Sequence, residues 1–254
     1  MGHSEILLGQ AFRQGRDRVV IATKGGMSNA AGEQDFSAEY LRKALEQSLR
    51  RLNTDYVDLY QLHSPPVELL EDEEIRSFLD GIVRTGKVRS VGFSARSPLD
   101  ALATVKRHDM TVVQANLNLL DWRAVDCGLL EHCRETGTSV IARTPLCFGF
   151  LTGRYTADDV TDPDDHRSRW PREKIEQWIT AAPLFAGAIT SGGTQTAGQR
   201  ALRFCLSFAG VATVIPGMLT PAHVAENCAA ADLGPLTPAE LAAAEKIYRE
   251  LTHE

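Results

Sequence analysis

Apolar residues gather in six short runs along the chain, RVVIATKGG, YVDLYQLHSP, SVGFSARSP, TVVQANLN, SVIARTPL and VATVIPGM. Each ends in a polar or glycine-bearing turn, and a helical pattern follows. Short runs rich in valine and isoleucine read as buried strands. Their alternation with helices is the βαβα rhythm of a parallel sheet, because parallel neighbours need a long crossover between them. Ser97-Pro98 before LDALATVKR and Thr220-Pro221 before AHVAENCAA each put a capping hydroxyl and a proline at a helix start. Thr237-Pro238 with Glu240 opens the last helix in the same way. In the opening MGHSEILLGQAF, Ser4 reads as an N-cap, and Ile6, Leu7, Leu8, Ala11 and Phe12 read as a helical stripe. The least regular stretch, from about Tyr155 to Gly193, carries DPDDHRSRWP and SGG and is expected to be a long loop with one helix. No linker interrupts the pattern, so one domain is expected over residues 1–254.

Composition narrows the class. A chain of 254 residues, 43% hydrophobic and 24% charged, buries a sizeable core. The net charge of -6 argues against a nucleic-acid groove. No apolar run approaches the ~18 residues of a membrane span, and the start lacks the charged and apolar regions of a secretory signal. The five cysteines, Cys127, Cys133, Cys147, Cys205 and Cys228, form no C-x-x-C pair and suit free thiols. A soluble, cytoplasmic protein without nucleic-acid or membrane partners is the expectation.

Polar residues stand at the carboxyl ends of the runs. Lys24 ends VVIATK, His63 ends DLYQLH, Ser94 ends VGFS, Gln114 and Asn116 lie in VVQAN, and Arg143-Thr144 end VIART. In a parallel α/β barrel these ends converge on one mouth, where active sites are built. A single histidine or lysine there would be read as a hydrogen-bonded structural group or a strand-end charge. Several such residues on sequential strands point to a site.

The stretches GHSEILLG, VVIATKGG, LRKALEQSLRRLNTDYVDLYQLH, GKVRSVGFSARSP, VVQANLNLLD, VIARTPLCFGFLTGRY and VIPGMLTPAHVAENCAAAD together resemble the aldo-keto reductase family over nearly the whole chain. The resemblance implies a TIM-type (β/α)8 barrel that reduces a small-molecule carbonyl with a nicotinamide cofactor, usually NADPH. Of the family's catalytic aspartate, tyrosine, lysine and histidine, it assigns the lysine to Lys24 and the histidine to His63. A cationic lysine favours the charged form of the tyrosine acid and so lowers its pKa. The histidine orients the carbonyl oxygen or shares its proton.

By the same resemblance, Ser94 and Gln114 bind the nicotinamide carboxamide. Arg143 stands where relatives often carry an aromatic ring against the nicotinamide. Thr144, Pro145, Leu146, Cys147, Phe148 and Arg154 follow the pyrophosphate and adenosine. Gly217 begins the turn into the helix capped by Thr220, whose amino end favours a phosphate. Glu226 and Asn227 match adenine-contacting positions. Where relatives hold an arginine at the 2'-phosphate, this chain has Leu219 or His223, with Arg154 and Arg167 as compensating cations. NADPH with modest discrimination over NADH is therefore expected. Taken alone, Gln114, Asn116 and Asn227 are ordinary strand-end and cap polarity, HRSRWPR is a solvated loop, and Cys147 is a packing residue.

The family aspartate and tyrosine have no match. In the pattern Y-G-x-G-x-S-E, Gly2-His3-Ser4-Glu5 supplies the end and Met1 the first x. The expectation is a barrel truncated at its amino end with about six parallel strands, Met1 being an internal methionine of a protein roughly fifty residues longer, the size of two βα units. Tyr60 and Asp58 are an odd number of residues from His63 and so are expected on the helix side. Tyr155 is the remaining tyrosine weighed as a substitute. Activity is expected to be impaired, with self-association through open barrel edges. The alternative is a catalytically silent NADPH-binding, redox-sensing or subunit protein.

Overall fold

Each apolar run contains a strand in the computed structural model, which describes residues 2–29, 31–160, 162 and 164–252. The strands are β1 (Ala22–Gly25), β2 (Val57–His63), β3 (Val88–Ser94), β4 (Val112–Asn116), β5 (Ser139–Arg143) and β6 (Val211–Ile215). The chain groups into two compact units, Met1–Ala115 with Thr136–Ser139, and Asn116–Glu135 with Val140–Glu254.

In the first unit the strand order is β1-β2-β3-β4, all parallel. Helices α1 (His3–Ala11), α2 (Ala38–Leu52), α3 (Glu73–Arg84) and α4 (Pro98–Arg107) intervene. β2 is buried from Val57 to Leu62, as a parallel strand covered on both faces must be. α2 begins where the Ser37 hydroxyl accepts the Tyr40 N–H, and its stripe Leu41, Leu45, Leu49 and Leu52 is buried. Each such leucine contributes about 1.5–3 kcal/mol of burial. The contact is close at Gly25, where a Cβ would lie 1.9 Å from the Tyr60 hydroxyl oxygen. That hydroxyl donates to the Leu41 carbonyl at 3.3 Å.

The second unit contains α5 (Arg123–Asp126), α6 (Leu129–Thr136), β5, α7 (Arg172–Ala181), α8 (Leu184–Ala188), α9 (Ala197–Leu206), β6, α10 (Pro221–Asp232) and α11 (Pro238–Thr252). β5 and β6 pair in parallel. Trp122 stacks on Tyr248, with centroids 5.7 Å apart, and tilts against Phe204 at 4.8 Å. Arg203 is 1% exposed and donates to the carbonyls of Ser191, Gly234 and Pro235 and to the Gln195 side chain.

The structure departs from expectation at four points. Ser4 is not the cap of α1: Gly2 is, in a left-handed conformation with no side-chain cap bond. The apolar stripe of α1 is also largely uncovered, since Ile6, Leu7 and Leu8 are 41%, 51% and 38% exposed. The strand in RVVIATKGG starts only at Ala22, and Val20 before it is 83% exposed. Among its described residues, the stretch from Tyr155 to Gly193 holds two α-helices, α7 and α8, after two 3-10 segments (Ala157–Val160 and His166–Arg169), and Pro183 separates the two α-helices. The caps at Ser97 and Thr220 form as the dipeptides require, accepting the N–H groups of Asp100 and His223. No described helix is long and apolar enough to cross a membrane.

Candidate active site

Register decides which strand-end residues share a face. Partnered residues on parallel strands point the same way, and the direction alternates along each strand. Lys24 is partnered with Gln61, His63 with Ser94, and Ser94 with Gln114. Gln61 is two residues from His63, so Lys24, Gln61, His63, Ser94 and Gln114 lie on one face at the carboxyl ends of β1 to β4. Lys24 and His63 are half-buried. Tyr60 lies on the opposite face against α2, and burial pushes its pKa up. Asp58 also faces away, accepting from Arg16, Arg89 and the Ile21 N–H.

Three buried polar side chains join in a line on the shared face. The Ser94 hydroxyl donates to Gln114 Oε1 at 3.2 Å, and Gln114 Nε2 donates to Gln61 Oε1 at 3.3 Å. Ser94, Gln114 and Gln61 are 0%, 3% and 1% exposed. A buried amide costs free energy unless hydrogen-bonded, and this chain of contacts meets part of that need. An amide carries two N–H donors, so Gln114 and Gln61 retain capacity for a further acceptor. A carboxamide group, itself one acceptor and two donors, fits this donor set. Gln61 is not among the residues the family resemblance assigns, although a glutamine inside an apolar strand marks it in the sequence.

The second unit carries the remaining candidates. Arg143 ends β5, half-buried, with its Nε donating to Asn116 Oδ1 at 2.5 Å, and burial lowers its pKa. A guanidinium remains charged through such a shift. The backbone then turns sharply: Thr144, Cys147 and Phe148 have φ of 53°, 45° and 57°. Asn118 Nδ2 donates to the Thr144 carbonyl at 3.0 Å. Pro145 and Leu146 pass into a 3-10 segment over Cys147–Thr152, where Cys147 is buried and its thiol pKa is pushed up to about 12 by desolvation. The Phe148 ring meets Trp170 at 5.5 Å, Trp178 at 5.9 Å and His166 at 6.0 Å.

Both candidate phosphate cations have carboxylate partners. Arg154 donates to Glu226 at 2.6 Å and lies 3.0 Å from His223 Nε2. Glu226 also accepts from the Thr196 hydroxyl at 2.7 Å, and that bond, ahead of Arg154, lowers its pKa. Arg167 grips Asp165 through Nε and Nη2, and its guanidinium lies 4.0 Å above the Tyr155 ring. The hydrogen bonds from Arg167 hold the Asp165 pKa at about 2. Leu219 is 88% exposed, and its N–H donates to His223 Nδ1 at 3.3 Å. Asn227 Nδ2 contacts the Gly217 carbonyl at 3.5 Å, closing the turn before α10.

A cavity of about 650 Å³ opens at the other end of β3 and β4, lined by Arg84, Arg89, Ser90 and Thr111. It contains none of the candidate residues. Among the described residues no cluster suited to a metal ion occurs.

Comparison with known proteins identifies the family and the fold. The model of the Aldo/keto reductase family matches residues 1–249. An NADH-specific methylglyoxal reductase of Escherichia coli is 29% identical over 256 residues, covering 91% of this chain and 76% of that protein. An NADP(+) aldo-keto reductase of Schizosaccharomyces pombe is 30% identical over 236 residues, covering 89% and 69%. Among solved structures, a glycerol dehydrogenase from Gluconobacter oxydans superposes with a TM-score of 0.82 at 26% identity, covering 100% of this chain and 79% of the other. The holo form of an aldo-keto reductase from Bacillus halodurans gives 0.77 at 27% identity, covering 97% and 78%. With its six parallel strands and intervening helices, the chain belongs to the aldo-keto reductase family of (β/α)8-barrel oxidoreductases, which reduce carbonyl groups with a nicotinamide cofactor.

Proposed function

We propose that Lys24 and His63 are the catalytic side chains of this reductase, and that Ser94 and Gln114 bind the carboxamide of its nicotinamide. The observation that carries this reading is the common face they share by strand register. A nicotinamide held by these residues would supply the hydride that reduces the carbonyl. His63 orients the carbonyl oxygen, and the Lys24 ammonium favours negative charge developing beside it. The family aspartate and tyrosine have no match in this chain, and Tyr60 is turned toward α2. A positioned general acid is worth roughly 10²–10⁴-fold, so turnover by these 254 residues is slow. The same gap favours a second reading, a silent cofactor-binding, redox-sensing or subunit protein. Cofactor affinity retained without turnover on a panel of aldehydes and ketones would select it.

Arg143, Thr144, Pro145, Leu146, Phe148, Arg154, Arg167, Gly217, Leu219, His223, Glu226 and Asn227, all of the second unit, match family positions that contact the nucleotide. NADPH is preferred over NADH, but modestly. Arg154 and Arg167 are already paired with Glu226 and Asp165, so a 2'-phosphate gains from them only by competing with a carboxylate. That the Escherichia coli relative is NADH-specific and the Schizosaccharomyces pombe relative is named for NADP(+) accords with a balance set by few groups. The test is titration of both cofactors against the parent chain, Arg154→Ala and Arg167→Ala. Each variant is expected to weaken NADPH by up to about 1.5–3 kcal/mol, the worth of a hydrogen bond to a charged group, and to leave NADH unchanged. Equal losses for both cofactors would remove these arginines from the 2'-phosphate.

One barrel domain over residues 1–254 and a cytoplasmic location complete the reading, supported by the family match and by five free cysteines. Copies of the chain also associate through strand edges, where Ala22 of β1 is exposed and Ile215 of β6 is 44% exposed. Sedimentation of a single monomeric species across micromolar concentrations would dismiss that association.

A further inference from the structure

Past the end of β2 the ladder runs out, and side chains from elsewhere take over. The Ser64 N–H still donates to the Ser94 carbonyl at 2.8 Å, but Ser64 itself has a left-handed φ of 56°. The carbonyls of His63 and Ser64 are both met by one amide: Gln34 Nε2 lies 2.8 Å from the first and 3.2 Å from the second. Arg96 closes the ring. Its Nε donates to the Ser64 carbonyl at 2.9 Å and its Nη2 to Gln34 Oε1 at 2.9 Å. Gln34 is 29 residues from His63 in sequence, and Arg96 is 62 residues from Gln34.

The loop that presents Gln34 is itself braced. Met27 and Gln34 form an antiparallel bridge, the Asp35 N–H donates to the Gly26 carbonyl at 2.9 Å, and the Tyr40 hydroxyl donates to the Met27 carbonyl at 2.6 Å. Gly26, at φ 109°, leaves no room for a side chain, since a Cβ would lie 2.1 Å from the Phe36 ring. The amide therefore reaches the strand end from a closed turn.

We propose that Gln34, held by Arg96, is a positioning residue for His63: it fixes the His63–Ser64 peptide and thereby the direction of the imidazole. This rests on the reading of His63 as the residue that orients the substrate carbonyl. The chemistry favours an amide here, because a carboxylate at the same place has no N–H to give to the two carbonyls.

Gln34→Glu is the informative variant, since it keeps the shape and the Arg96 contact and removes the donor. The first readout is the His63 imidazole resonances by nuclear magnetic resonance in the unliganded chain, assigned with His63→Ala. The second is the split of kcat from KM for carbonyl reduction. The imidazole signals of Gln34→Glu are expected to move or broaden, and kcat to fall about tenfold with KM for cofactor unchanged, a misplacement of the reacting geometry. Arg96→Ala is expected to give the same changes in weaker form. Unaltered imidazole signals in a folded Gln34→Glu chain would overturn the proposal, as would a loss confined to KM. If His63→Ala turns over as fast as the parent while Gln34→Glu still moves the imidazole, the catalytic reading of His63 has failed, and the role given to Gln34 in the reaction falls with it.

Discussion

Glu240→Gln would test how one buried carboxylate organises the second unit. Glu240 is 7% exposed. Its Oε1 accepts the N–H groups of Thr190 and Ser191 at 2.8 and 2.6 Å. Its Oε2 accepts the Ser191 hydroxyl at 2.6 Å and the Thr237 N–H and hydroxyl at 2.9 and 3.0 Å. Burial pushes the pKa of this carboxyl up, but the bonds from Ser191 and then Thr237 outweigh it and bring the value from 4.5 to about 2. That fall corresponds to roughly 2–3 kcal/mol at neutral pH once nearby solvent is allowed for. Glutamine keeps one acceptor oxygen and turns an NH₂ toward three donors, so the Thr237 N–H loses its acceptor.

The folded pKa lies below the unfolded one, so the contribution is complete above about pH 4.5 and is lost as the pH falls toward 2. Less than half of it remains at pH 3. The assay is urea unfolding at pH 7 and pH 3, followed by tryptophan fluorescence. Trp122, Trp170 and Trp178 all belong to the second unit, so the signal reports on the part that Glu240 holds. A variant within ~0.5 kcal/mol of the parent at pH 7, the scale of an ordinary surface change, would refute the reasoning. So would a gap that fails to narrow at pH 3.

Three further outcomes are expected. Asp58→Ala should destabilise the first unit by about 3–5 kcal/mol, because it leaves the largely buried Arg16 guanidinium without its carboxylate and the Ile21 N–H without its acceptor, and a negligible shift in urea midpoint would contradict this. Gly25→Ala should cost more than the roughly 1 kcal/mol typical of point changes and should displace the Tyr60 ring; near-parental stability would mean that the close approach is not real. At pH 8 a thiol reagent should modify exposed Cys228 readily and reach buried Cys133, Cys147 and Cys205 only on unfolding, and four or five fast thiols in the native chain would count against the burial described.

What the sequence determined by itself was mostly local and periodic. Alternation along DLYQLH was enough to turn Tyr60 and Asp58 away from the side of His63, because a strand's two faces follow from its period of two. The caps at Ser97 and Thr220 were equally readable, since a hydroxyl, a proline and the next N–H are neighbours in the chain. At α1 the same reasoning failed: an apolar pattern states what a helix would bury, while Ile6, Leu7 and Leu8 stay exposed for want of a described surface over them. The partners of polar side chains were decided only by the tertiary structure. Gln34 meets a carbonyl 29 residues away, Glu240 meets N–H groups 49 and 50 residues away, and Arg154 meets a carboxylate 72 residues away. Periodicity assigns a residue to a face, but a hydrogen bond forms over about 3 Å, and which groups come that close is set by the packing of whole elements.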